Sequence, residues 1–102
     1  MTEEVNIIRF GDWESPSHKI SDDDLLEFME LSPNAGWTMS DVKRLCRLVG
    51  LSCKPPNGGM HYRIYCISIQ GILTIPSHNP IMAPYIRSLV SLARACQART
   101  SG

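Results

Sequence analysis

Residues 60–68, MHYRIYCIS, leave this chain of 102 residues few folds to choose from. Strand side chains alternate between faces, so Tyr62, Ile64 and Cys66 are predicted to point one way and His61, Arg63 and Tyr65 the other. A strand with one apolar and one polar face belongs in a sheet that is covered on one side only. Ile69-Gln70-Gly71 predicts a tight reversal, and residues 72–75 a second strand closed by Pro76, which together make an antiparallel hairpin. Residues 51–54 add a short third strand, followed by a loop at Pro55-Pro56-Asn57-Gly58-Gly59.

Two amphipathic helices are predicted to cover that sheet. Val42, Leu45, Cys46 and Val49 recur at helical spacing behind Ser40, the predicted cap, and ahead of Gly50, while Lys43, Arg44 and Arg47 take the opposite face. Pro84 is placed at the first position of a last helix. Its stripe is Ile86, Leu89, Val90, Ala93 and Cys96, with Arg87 and Arg94 sharing another side. The expected fold class is therefore α+β, a three-stranded antiparallel sheet with two helices on one face. Upstream, Ser21 and the three aspartates after it predict a helix start, with Leu25, Leu26, Phe28 and Met29 apolar and an end near Leu31. Residues 5–10 read as a short strand and 11–19 as a loop.

Charge divides the chain in a way its net value of zero conceals. Residues 1–41 hold all ten acids and two bases, and residues 42–102 hold eight bases and no acid. Such asymmetry points to a surface for nucleic acid or another polyanion. A length of about one hundred residues supports one compact domain with a modest core, and two independent domains are not expected. No apolar run approaches a membrane span, the N-terminus is acidic where a signal peptide is basic, and a cytoplasmic location is expected. Cys46, Cys53, Cys66 and Cys96 include no C-x-x-C pair, which argues against structural zinc. Cys46 and Cys96 lie at apolar helical positions where reduced, buried thiols are usual, although an even count leaves disulfides open.

His61 follows a glycine pair, Gly58-Gly59, at the mouth of its strand and shares a predicted face with Arg63 and Tyr65. An imidazole moves protons near neutral pH, an arginine grips phosphate through two nitrogens, and a tyrosine stacks on an unpaired base. That set suits RNA cleavage without a metal, and it equally suits plain RNA binding. The supporting cations would be Lys43, Arg44, Arg47, Lys54 and Arg87. His78, after the proline that ends the hairpin, is a second candidate, whose plainer role is to fix its loop or cap the last helix. His18 has no evident partner and is assigned no role.

Four short segments, taken in order, resemble the HicA family of toxins from type II toxin-antitoxin systems. They are DVKRL at 41–45 running to Gly50-Leu51, NGGMHYRIY at 57–65, LTIPSH at 73–78, and Pro84 with IRSLV at 86–90. The similarity spans residues 40–97. It implies an α-β-β-β-α fold like that of the double-stranded RNA-binding domain. It also implies an mRNA interferase that is neutralised by a HicB-type antitoxin, and for this activity no metal or other cofactor is expected. The resemblance places the catalytic histidine on His61 and the second family histidine on His78. The chain departs from the family's usual Gly-Ser-His and its preceding base by having Gly59-Met60-His61 after Asn57-Gly58, and the resemblance divides it into an acidic extension with one helix at 1–37 and a HicA-like domain at 38–102. The alternative is a non-catalytic module of the same fold that binds RNA or an antitoxin.

Overall fold

The computed structural model describes residues 20–101, so the strand and loop expected over 5–19, with Trp13 and His18, lie outside the described residues. The element order is a 3-10 turn (Asp22–Asp24), α1 (Leu25–Leu31), α2 (Met39–Val49), β1 (Ser52–Lys54), β2 (His61–Tyr65), β3 (Leu73–Pro76) and α3 (Ala83–Ser101). The expected α+β architecture is present: a three-stranded antiparallel sheet in the order β1-β2-β3, together with helices.

The alternation in β2 decides which side the helices take. Ile64, Ile75 and Cys66 are buried with Val42, Leu45 and Cys46 of α2 and Ile86, Leu89, Val90, Ala93 and Cys96 of α3, in one continuous core. Each such aliphatic side chain removed from water contributes about 1.5–3 kcal/mol. Leu25, Leu26 and Met29 of α1, together with Trp37, belong to the same core, and α1 packs against α3. Residues on both sides of the expected division at 37–38 therefore share one interior.

Several local expectations are corrected. The cap of α2 is Thr38, not Ser40: the Thr38 hydroxyl accepts from the Asp41 amide, and the Asp41 carboxylate accepts from the Thr38 amide at 2.8 Å. Asp41 at the third helical position closes this reciprocal box, which the Ser40 register does not allow. Gly50 ends α2 at φ 92°, a left-handed conformation that favours glycine. The start near Ser21 is a single 3-10 turn before α1, and Phe28 is 46% exposed, so it is not part of the buried face. Between β2 and β3 the chain makes a seven-residue connection, not a tight reversal, and β3 begins at Leu73. The last helix starts at Ala83, one residue ahead of Pro84. Finally, Cys96 is not a reduced thiol: it is bonded to Cys66, joining the end of β2 to α3. The two residues are 30 apart in sequence and leave no local pattern that reports their contact.

Candidate nucleic-acid interface

Register places the polar residues of β2 on the sheet face opposite the helices. Arg63 pairs with Lys54 on one side and Thr74 on the other, Tyr65 pairs with Ser52, and His61 pairs with Pro76. Cross-strand partners share a face, so two cations stand directly opposite one another, an arrangement that costs stability when no anion lies between them. No acid occurs on β1, β2, β3 or the loops joining them. His61 and Arg63 are exposed and Tyr65 is half-buried.

The two histidines lie toward the same end of the ladder. His61 opens β2 and is paired with Pro76, and His78 follows two residues later. The Ser77 amide donates to the Met60 carbonyl at 2.7 Å, tying the two histidine-bearing segments together. Among the described residues no hydrogen bond joins the His78 side chain to its loop. The loop is held by Asn79, whose side-chain oxygen accepts from the Met39 amide at 2.9 Å, and by the Ile81 amide, which donates to the Trp37 carbonyl at 2.8 Å. Trp37 is fully buried and anchored by its own indole N–H, which donates to the Ser32 carbonyl at 2.7 Å. Sequence reasoning missed both of these positioning residues. Asn79-Pro80 carries a turn signal, but neither residue carries a sign of its distant partner.

Gly58 holds φ 85° in the loop before β2, and neither it nor Gly59 has an atom within 4 Å of where a Cβ would stand. The space above this loop is open to a ligand. The remaining cations are dispersed. Arg44 is engaged by Asp22, its Nε and Nη2 donating to one carboxylate oxygen at 2.9 and 2.6 Å, and by the Ile20 carbonyl. Arg87 lies on α3, beside a groove it shares with Glu30 and Arg94. Lys54 alone of these stands on the sheet face with His61 and Arg63.

Lys43 and Arg47 instead rim a second depression, of about 340 Å³, on the helix side of β2, with Cys46, Leu51, Cys53, Pro55 and Tyr62 lining it. The Lys43 ammonium sits 4.9 Å from the centre of the Tyr62 ring. Burial, assisted by the neighbouring Cys53, pushes the Cys46 thiol from its ordinary 9.0 up to about 12. Burial also raises Cys53, against opposing contributions from Cys46 and Lys43.

Among the described residues no three His, Cys, Asp or Glu side chains converge on one point, and no helix is long and apolar enough to cross a membrane. No family model, curated protein or solved structure matches this chain.

Proposed function

We propose that the chain is a HicA-like toxin, a metal-independent endoribonuclease that cleaves mRNA in the cytoplasm with His61 as its catalytic residue. The observation that carries this reading is the sheet face itself, where Lys54 stands opposite Arg63 with His61 and Tyr65 alongside and no acid on any strand. A phosphodiester supplies the anion that this pair of cations lacks. Cleavage then needs a proton taken from the ribose 2′-hydroxyl as it attacks phosphorus, and a proton given to the departing 5′-oxygen. His61 serves one of these transfers, Arg63 and Lys54 hold the non-bridging oxygens, and Tyr65 offers a ring for a base. His78, brought to the same end of the sheet, is the supporting imidazole.

A protein that cuts mRNA must be held inactive in its own cell, and a HicB-like antitoxin is the partner proposed. Met60, 56% exposed beside His61, gives such a protein an apolar anchor next to the catalytic group. The cytoplasm supplies the substrate. There the Cys66–Cys96 bond, buried at both sulfurs, is shielded from thiol reductants in the folded protein.

Expression of the protein alone tests the enzyme. Wild type is expected to slow growth and shorten transcripts, and His61→Ala to reduce cleavage of a purified RNA by about 10²–10⁴-fold, the usual worth of a general acid or base. A wild-type protein that leaves both growth and RNA intact would defeat the reading. One observation favours the second reading, a non-catalytic RNA-binding module: among the described residues no side chain hydrogen-bonds to His61, and its neighbour is Met60 where the family has a hydroxyl. In that case RNA binds without being cut, and affinity falls with salt at a slope of about −0.7 per phosphate contact on a single strand.

A further inference from the structure

The groove between α2, β1 and β2 is used by none of the steps above. Its size, about 340 Å³, lies at the lower end of the range for small-ligand sites, which are mostly apolar with a few placed polar groups. Lys43 and Arg47 stand one helical turn apart on its rim, and Tyr62, Pro55 and Leu51 supply a flat and apolar lining. The Lys43 ammonium lies over the Tyr62 ring, 4.9 Å from its centre, so a base stacking on Tyr62 takes the place of this cation, which turns to the nucleotide's phosphate. Tyr62 also lies between His61 and Arg63 in β2, so one strand exposes the proposed catalytic face and the groove from neighbouring residues about 3.3 Å apart. The loop before β2 joins the groove to the His61 end of the strand, and no atom stands within 4 Å of a Cβ placed on its Gly58 or Gly59.

We infer that the groove seats one unpaired nucleotide of the same RNA strand that reaches His61, with its base on Tyr62 and Pro55 and its phosphate on Arg47 and Lys43. This inference rests on the RNA reading of the protein and extends it to a second subsite. An acidic peptide would satisfy the two cations and leave the aromatic floor without a role, whereas a nucleotide uses both.

Cys53 reports on occupancy, because it lines the groove and is only half-buried. The test is alkylation of Cys53 by N-ethylmaleimide, followed by mass spectrometry, with and without a saturating single-stranded RNA oligonucleotide, in the full chain carrying His61→Ala so that the RNA persists. Bound RNA is expected to slow Cys53 alkylation severalfold. Arg47→Gln, an exposed substitution that spares the fold, should reduce the salt slope of binding by about 0.7 and weaken the protection. Tyr62→Leu should weaken RNA binding roughly tenfold, the loss of one stacked base, with circular dichroism confirming that the variant is folded. RNA that binds while Cys53 reacts at its unliganded rate, or an acidic peptide that protects Cys53 where RNA does not, would overturn the subsite and leave the proposed function standing. RNA that fails to bind the parent chain at all would overturn both.

Discussion

Cys46 and Cys53 line one groove yet differ in chemistry, because Cys46 is buried and Cys53 is half-open. The Cys46 thiol, pushed up to about 12, keeps its proton in the folded chain at pH values where an unfolded cysteine has lost it. A thiol whose folded value is raised stabilises the fold fully below its unfolded value, and that contribution disappears as pH rises from about 9 towards 12. Denaturant midpoints measured across that range should therefore fall with pH, and the fall should be shallower in Cys46→Ala. An identical slope in the two proteins would show that the thiol is not responsible. The residue scale also shows where local sequence was a sufficient guide. His61, Arg63 and Tyr65 were legible as one face because alternation records burial directly. Thr38 was not, because Ser40 is an equally good capping type and only the position of Asp41 distinguishes the two.

At the scale of elements, α1 tests what holds the acidic segment in place. It offers α3 both an ion pair, Glu30 with Arg94, and the buried side chain of Met29. The ion pair is about half exposed on each side, and pairs of this kind contribute about 0–1 kcal/mol. Removing Met29 leaves a cavity in the core, and such truncations cost about 2–5 kcal/mol. In urea titrations Met29→Ala should thus shift the unfolding midpoint strongly, with Glu30→Gln close to wild type. The reverse order would mean that charge, not packing, attaches α1. The stripes of α2 and α3 were readable for the same reason as β2, since each repeats the spacing of its buried face. Pairings such as Met39 with Asn79, or Trp37 with Ile81, were not, because contacts forty or more residues apart impose no period on either segment.

At the scale of the whole molecule, the Cys66–Cys96 bond closes a loop across 30 residues that contains β3 and most of α3. Closure of a loop of this length stabilises by about 3–4 kcal/mol, chiefly by restricting the unfolded chain. Cys66→Ser with Cys96→Ser should lower the denaturation free energy by that amount, and added reductant should have no further effect on the double variant. A double variant as stable as the parent would remove the bond from the list of forces that hold the fold. The packing of α1 against α3 has a consequence of another kind. The two helices lie at opposite ends of the described chain, and α3 is translated after every other described element. Until it emerges, Leu25, Met29, Ile64 and Ile75 lack the surface that buries them, and Ile81, which anchors the His78 loop to Trp37, has only just been added. A nascent chain whose α3 has not yet left the ribosome therefore cannot present the sheet face on its completed core.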